Sequence, residues 1–393
     1  MFTTRAIWGV ATAALVFSTM AGAQPAQPAQ SAGAAAPEPT TPWLEYEPME
    51  HEHNSMSVVL ISGDEEYRSE EALPQLGKIL SQRHGFACTV LFAIDPETGG
   101  IDPDNRTNIP GLESLADADL MIIATRFRDL PDEQMAMIDA YVQSGKPIIG
   151  MRTATHAFNL SEDSAYREVY TWNSGAEGHE GGFGKQILGE TWVAHHGAHG
   201  SQSTHGIIAY EAEGHPIARG LRFVIEKEGD LDSLAPMIWG PTDVYRVNLP
   251  LPSDATPIVM GYVANGMTPG ALPDLGEKND PVMPVAWTRV MKNSGNINGR
   301  RVFTTTMGAA TDLVADGTRV MLVNAAYWAM GLEGEIPAGG CEADLVGDFA
   351  PSDFGFGGFV KGTFPADHEL ESKHDEDDED DEDGEHDDDE HDG

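Results

Sequence analysis

Residues Gly145 to Phe158 read GKPIIGMRTATHAF, and this stretch decides the fold class of the chain. Its apolar run, Pro147 to Met151, has the composition of a buried strand and leads directly into a polar turn. In α/β proteins, ligands bind at such turns because they lie at the carboxyl ends of the strands. Many α/β enzymes place a Ser or Cys nucleophile there, on a strained elbow. The candidate positions in this chain are Met151, Arg152 and Thr153, so the elbow lacks such a nucleophile.

Strand and helix patterns alternate on the amino-terminal side of this turn. Strands are predicted at Ser57 to Gly63, Ala87 to Ala93, Asp119 to Thr125 and Pro147 to Met151, with helices at Ser69 to His84 and after a cap at Asp129. This alternation predicts an α/β fold with a doubly wound, mostly parallel sheet of the flavodoxin-like class. Added strands are predicted at Gly206 to Tyr210, Thr256 to Val263, Pro284 to Val290 and Arg301 to Met307, before a last helix from Asp312 to Met330. The last two of these strands are predicted to form a hairpin across Asn293 to Gly299.

The two ends of the chain have compositions that do not build a core. Residues 1–23 have the basic, apolar and small-residue regions of a secretory signal, which predicts an exported, periplasmic or extracellular protein. The alternative is a membrane anchor, but the apolar run of about 15 residues is shorter than the ~20 that span a bilayer. Residues 24–50 form a predicted disordered linker, and 367–393 a disordered tail of acidic residues and His. Between them, 55–335 is the predicted folded domain and 336–366 an irregular, Gly- and Phe-rich segment, named here the C-terminal strap.

Charge and cysteine content exclude several classes of function. The formal net charge is −41 at pH 7, and the predicted tail holds 18 acidic residues against one lysine. A body of this sign repels nucleic acid and anionic lipid, so neither is expected as a partner. Cys88 and Cys341 are the two cysteines; no CxxC spacing exists, and whether they form a disulfide stays open. No GxSxG, Walker A or strand-to-helix GxGxxG motif occurs, so catalysis would rest on His, Asp, Glu, Tyr or a metal.

Histidine is concentrated in the segment WVAHHGAHGSQSTH, which begins at Trp192. Neutral imidazole is a common ligand of divalent transition metals, and it is also suited to acid/base chemistry. The alternative is a solvated polar loop. Because neighbouring side chains of an extended strand point in opposite directions, at most one of His195 and His196 faces a given site. We predict either a divalent metal, held by His156, His195 and His196, or an acid/base or binding role for these residues.

Other candidate residues follow the predicted strands. The segment GDEEYRSEEALP after the first strand and GPTDVY at Gly240 both carry acids and a tyrosine, and tryptophans near Gly-rich loops are suited to stacking on sugars or to core packing. Arg152 could bind a ligand or pair with an acid that fixes the turn. Our catalytic candidates are His156, His195, His196, Arg152 and Asp243. Our substrate-binding candidates are Asp64, Tyr67, Thr153, Trp172, Trp192, His199, Tyr245 and Thr306.

Taken in order, these segments resemble the ThuA-like (trehalose utilisation) family, whose fold is similar to that of class I glutamine amidotransferases. The resemblance covers residues 57–333 and rests on LISGDEEYRSEEALP, GKPIIGMRTATHAF, FGKQILGETWVAHHG, HPIARGL, GPTDVY and PVAWTRV with the segments that follow it. The amidotransferase elbow carries a catalytic Cys that this chain lacks, so glutaminase activity is not expected. The resemblance implies a role in carbohydrate metabolism, on keto-sugars or glycosides supplied by a sugar oxidoreductase acting upstream.

Two functions are therefore expected for the sequence. The first is an exported enzyme in which His156 or a histidine of the HHG segment acts as acid/base, or holds a metal, over a small-molecule sugar oriented by Arg152 and Asp243. The second is a non-catalytic carbohydrate-binding module on the same fold, in which Trp172 and Trp192 stack on the sugar. The enzyme hypothesis requires the elbow and the HHG segment to meet in space.

Overall fold

The computed structural model describes residues 41–49, 55–221, 238–292 and 299–370. The predicted signal at 1–23, most of the predicted linker, the tip of the predicted hairpin and nearly all of the predicted tail lie outside these ranges. No helix within the described ranges has both the length and the apolar character needed to cross a membrane.

Twelve strands occur in the described part of the chain. They are β1 (Trp43–Tyr46), β2 (Ser57–Gly63), β3 (Ala87–Leu91), β4 (Leu120–Thr125), β5 (Ile148–Met151), β6 (Ala194–His195), β7 (Ser203–Ile208), β8 (Ile238–Gly240), β9 (Tyr245–Arg246), β10 (Ala255–Ala264), β11 (Met283–Met291) and β12 (Arg300–Thr305). Ten of them form one mixed sheet in the order β1-β3-β2-β4-β5-β12-β11-β10-β7-β8. The central strands β3, β2, β4, β5 and β12 are parallel, and the flanking strands are antiparallel. A separate two-stranded sheet pairs β6 with β9.

Helices cover both faces of this sheet. They are α1 (Ser69–His84), α2 (Asp132–Ser144), α3 (Arg167–Tyr170) and α4 (Asp316–Met330). Because strand side chains alternate between faces, Val58 and Leu60 of β2 join the core that contains α1 and α4. Val59 and Ile61 point the other way, into the core that contains α2. The chain is therefore an α/β protein with a sheet buried on both faces.

Several predicted boundaries need correction. Asp129 does not cap α2: the helix begins at Asp132, and the Asp129 carboxylate instead accepts a hydrogen bond from the Ser161 backbone. The predicted helix from Asp312 divides into a short 3-10 turn, Ala310–Val314, and α4. The predicted strand from Gly206 to Tyr210 runs instead over Ser203–Ile208.

Strand β1 lies within the range predicted as linker, and it extends the sheet by pairing with β3. The hairpin of β11 and β12 is confirmed as an antiparallel pair. Cys88 and Cys341 are both buried and unpaired.

The parallel strands bring distant loops to one edge of the sheet. Strands β2, β4, β5 and β12 all point in the same direction, so the loops that follow them emerge side by side. Those loops begin at Asp64, Arg126, Arg152 and Thr306. The fold therefore gathers four polar loops at the carboxyl edge.

Candidate functional site

The elbow turn after β5, Arg152–His156, is a short 3-10 turn that begins at an arginine with a strained backbone. Arg152 has φ 44°, a left-handed conformation that is uncommon for a residue with a side chain. Its guanidinium is buried and donates to the carbonyls of Asp243 (2.8 Å) and Thr306 (2.6 Å) and to the hydroxyl of Tyr67 (3.0 Å). Arg152 thus anchors three segments to one another.

The carboxylate of Asp243 is the centre of the site. It is fully buried, and its Oδ1 accepts a hydrogen bond from Arg152 at 3.0 Å. The Nδ1 atoms of His195 and His199 lie 2.8 Å from Oδ2 and 3.2 Å from Oδ1. Burial acts to raise the pKa of Asp243, but the hydrogen bonds from the two imidazoles and the Arg152 charge outweigh it and hold this pKa well below its usual range. Asp243 is therefore an ionised acceptor shared by one cation and two imidazoles.

The adjacent side chains of His195 and His196 point in opposite directions, as neighbouring residues of an extended segment do. His195 lies in β6, opposite Tyr245 of β9, and turns toward Asp243. His196 turns the other way, and its Nε2 lies 2.5 Å from the carbonyl oxygen of Lys278. Of the three predicted catalytic histidines, His195 alone contacts the Asp243 carboxylate.

His199 lies between two carboxylates. Its Nδ1 faces Asp243, and its Nε2 lies 3.5 Å from Oε1 of Glu66. The hydrogen bond to Asp243 and the charges of both acids raise the pKa of His199, although partial burial opposes them. The rings of His195 and His199 are 4.9 Å apart, and their side chains are 37% and 35% exposed. Two imidazoles thus reach solvent above a buried carboxylate.

His156 is enclosed by aromatic rings. It is 3% exposed and lies 4.9 Å from Phe127, 5.6 Å from Trp192 and 6.3 Å from Tyr245, between ring centroids. Burial and then the nearby positive charges hold the pKa of His156 well below its usual range. Trp172 extends this group, 6.1 Å from Trp192. His156 is therefore a neutral member of an aromatic wall, and its nitrogens do not reach Asp243.

The remaining predicted residues support the loops. Asp64 accepts hydrogen bonds from the backbone of Glu66 and Tyr67 and from the Thr153 hydroxyl, at 2.8, 3.1 and 2.5 Å, so it ties the loop after β2 to the elbow turn. Burial raises the pKa of Asp64. Burial likewise raises the pKa of Tyr67 to about 12, so its hydroxyl stays protonated. Thr306 contributes its backbone carbonyl to Arg152.

A metal-compatible group in the described residues consists of His195, His199 and Asp243, whose ligand atoms lie within 4.8 Å of one another. The predicted set was His156, His195 and His196, so two of its three members differ. His156 is enclosed by rings, and His196 contacts Lys278.

Sequence reasoning missed two parts of the site. Arg126 and Phe127 follow β4 directly and lie beside Glu66 and His156, so the carboxyl-edge rule would have found them. Phe354 of the C-terminal strap lies 5.4 Å from His199, and no local signal in the sequence indicates that contact.

Fold and site together define an α/β protein with a cluster of histidines and carboxylates at the carboxyl edge of its sheet. No protein-family model and no curated protein matches the chain. Solved structures similar to it include a protein provisionally named ThuA-like from Bacteroides uniformis, 14% identical, covering 72% of this chain and 95% of that one with a TM-score of 0.41. A protein with the same provisional name from Parabacteroides merdae is 17% identical, covering 81% and 99% with a TM-score of 0.39. The N-terminal domain of mmIFT52 is 14% identical, covering 70% and 96% with a TM-score of 0.35. At these identities and TM-scores, the similarity assigns no function to this chain.

Proposed function

We propose that this chain is an enzyme of carbohydrate metabolism, of the ThuA-like family, in which His195 acts as general base and His199 as general acid. The observation that carries the proposal is the buried carboxylate of Asp243, which contacts both imidazoles on their inner sides. An ionised acceptor fixes the proton of His195 on Nδ1 and leaves Nε2 free to accept one. His199, between Asp243 and Glu66, is favoured in its protonated form.

This arrangement is suited to proton abstraction beside a carbonyl group. His195 removes a proton from the carbon next to the ketone of a keto-sugar, and the electron pair of that C–H bond forms a carbon–carbon double bond. The carbonyl π pair moves to oxygen, which takes the proton of His199, and an enol results. In the isomerisation, the proton on His195 passes to the former carbonyl carbon, while the hydroxyl on the carbon that first lost its proton gives its own proton to His199 and becomes the new carbonyl. Alternatively, the proton on His195 passes to an oxygen substituent that leaves from the β carbon with the C–O bonding pair. In the elimination, the enol hydroxyl returns its proton to His199 and the ketone re-forms.

The pairing of the site's arginines favours an uncharged sugar. Arg152 is bound to Asp243, and Arg126 contacts Glu65 at 2.6 Å and Glu66 at 3.4 Å. Arg152 and Arg126 are thus each already paired with a carboxylate. We therefore expect neutral glycosides and keto-glycosides to bind and the corresponding sugar phosphates not to bind.

The adjacent histidines provide the test. We expect His195→Gln to lower turnover of a 3-keto-glycoside by about 10²- to 10⁴-fold, because the base is lost. The matched variant His196→Gln should keep turnover within about threefold, since that ring faces Lys278. Loss of the proton beside the ketone can be followed by NMR in D₂O with 3-keto derivatives of maltose and cellobiose. Equal rates in the two variants would exclude His195 as the base.

A divalent metal at His195, His199 and Asp243 is the second candidate for the same site. Nitrogen and oxygen ligands suit Zn²⁺, and three protein ligands would leave a position for substrate. The Arg152 guanidinium on the same carboxylate opposes an added cation, which is why this candidate stands second. We expect calorimetric titration of chelator-treated protein with Zn²⁺ to give the same binding isotherm for His195→Gln as for the unaltered chain. If the unaltered chain had a single strong Zn²⁺ site and His195→Gln lacked it, a metal centre would become the first candidate.

The non-catalytic alternative, a carbohydrate-binding module that stacks sugars on Trp172 and Trp192, makes a different prediction in the NMR experiment. A binding module would bind the sugar in every variant, and the proton beside the ketone would be lost in none of them. The aromatic wall around His156 supports sugar binding whether the chain is an enzyme or a binding module. The two imidazoles on Asp243 favour the enzyme hypothesis.

The finer assignments belong to the same proposal. We infer an exported protein, from the composition of residues 1–23, and a sugar oxidoreductase upstream, since a ketone must be made by oxidation of a hydroxyl group. The parallel strands follow the order second, first, third, fourth, fifth along the chain, the order of flavodoxin-like sheets, which supports a doubly wound class. The elbow turn has Arg152 where a nucleophile would stand, which argues against glutaminase chemistry.

A further inference from the structure

The C-terminal strap, which lies outside the region of family resemblance, is fixed to the loop after β2. Arg68 is buried with φ 59°, and its guanidinium donates to the carbonyl of Gly355 at 2.7 Å and to the hydroxyl of Ser352 at 3.2 Å. The Gly355 backbone in turn donates to the carbonyl of Glu66 at 2.7 Å. Ser352 is also held by the carboxylate of Glu71, at 2.7 Å from its backbone nitrogen. Residues 352–355 are therefore attached to the site by several independent hydrogen bonds.

These bonds place two phenylalanines beside the proposed catalytic groups. The Phe354 ring lies 5.6 Å from the ring of Tyr67 and 5.4 Å from that of His199. The Phe356 ring lies 4.9 Å from the guanidinium carbon of Arg126, which also lies 4.6 Å from the Phe127 ring. Phe356 is 63% exposed, so its ring is accessible to a ligand.

With these two residues, the planar side chains around the site form a closed circuit of contacts, named here the aromatic rim. Successive ring or guanidinium contacts are 6.1 Å or shorter, and the circuit closes through the chain between Phe354 and Phe356. The members of the aromatic rim are His195, Trp192, Trp172, Phe127, Arg126, Phe356, Phe354 and His199. Without the strap, the circuit would be open on the side of His199 and Arg126.

We propose that Phe354 and Phe356 are specificity-determining residues, which bind the apolar face of an uncharged sugar ring whose ketone is presented to His195 and His199. The inference rests on the function proposed above. A phenylalanine has no hydrogen-bonding group, so it can recognise a sugar only through the C–H bonds of a ring face. Arg126, at the same place, is paired with Glu65 and Glu66.

The test separates binding from turnover. We expect Phe354→Ala to raise both the dissociation constant and KM for maltose, cellobiose or their 3-keto derivatives about 10-fold, because a stacking surface is lost. Turnover at saturation should fall less than affinity does, since Phe354 itself transfers no proton. Phe354→Tyr should restore affinity and Phe354→Leu should not. The control is Phe364→Ala, which changes a partly exposed strap residue that lies beside Gly100, outside the aromatic rim.

Each outcome has a definite meaning. If the unaltered chain binds these sugars and Phe354→Ala binds them equally well, the strap inference is wrong while the proposed function stands. Equal rescue by Leu and Tyr would also overturn it, since any side chain of that size would then suffice. If the unaltered chain binds none of the sugars, the proposed function fails and this inference fails with it. Thermal unfolding of every variant shows whether a change in binding reflects a change in folding.

Discussion

Replacing Asp243 with Asn is expected to lower turnover by about 10³- to 10⁴-fold, the largest effect predicted for the site. Asn keeps the size of the side chain, but its amide can present N–H groups to Nδ1 of His195. The imidazole would then carry its proton on Nε2, where the proposed base needs a lone pair. The same change removes the charge that favours protonated His199. Rates are measured with the NMR assay for proton loss beside the ketone.

The matched control is Asp254→Asn. Asp254 also pairs with a buried arginine, Arg289, at 3.0 Å, but it precedes β10, away from the two imidazoles. We expect this variant to keep turnover within about threefold, because it alters an ion pair without touching the acid/base residues. If Asp243→Asn retained more than about a tenth of normal turnover, Asp243 would not be orienting the base.

Replacing Arg152 with Met is expected to reduce the free energy of unfolding by about 3–5 kcal/mol, the largest stability effect predicted here. The reason is that Asp243 would remain buried as an anion without its cation. Two carbonyl oxygens, of Asp243 and Thr306, would also lose their donor. The measurement is equilibrium unfolding in urea, monitored by circular dichroism, with the slope checked against that of the unaltered chain.

Arg83→Met is the control for this stability effect. Arg83 pairs with Glu342 at 3.4 Å, and the two side chains are 36% and 55% exposed. Ion pairs of this kind contribute at most about 1 kcal/mol because water screens them and the side chains lose freedom. Equal small losses in both variants would mean that the Arg152 network contributes nothing beyond an ordinary surface pair.

The central fold could be predicted from the sequence because its signals are local. The apolar runs of β2, β4 and β5 are each long enough to show a buried strand, and the helix at Ser69–His84 has the predicted bounds. Strands β6 and β9 have two residues each, too few for any periodic pattern. Their pairing nevertheless places His195 opposite Tyr245. Short elements held by tertiary contacts escape sequence reasoning for this reason.

The residues of the site could be predicted from the sequence better than the role of each residue. The alternation rule required His195 and His196 to face apart, but it could not say which of them turns toward Asp243. That choice depends on a contact between residues 48 positions apart. His156 was predicted, beside the histidines of the HHG segment, as a catalytic candidate, yet Phe127 and Trp192 enclose it. Burial of this kind is set by the loops of other strands.

The hydrogen bond between Arg68 and Gly355 affects the order in which parts of the chain fold. It joins residues 287 positions apart. Bringing the ends of so long a segment together costs conformational entropy, and contacts formed within the segment do not offset that cost. Contacts among the sheet strands up to β5 and their helices join residues much closer in the sequence, so these elements can pair before the strap docks. The loop after β2 must wait for it. A newly made chain would therefore gain its architecture first and its ability to discriminate among sugars last.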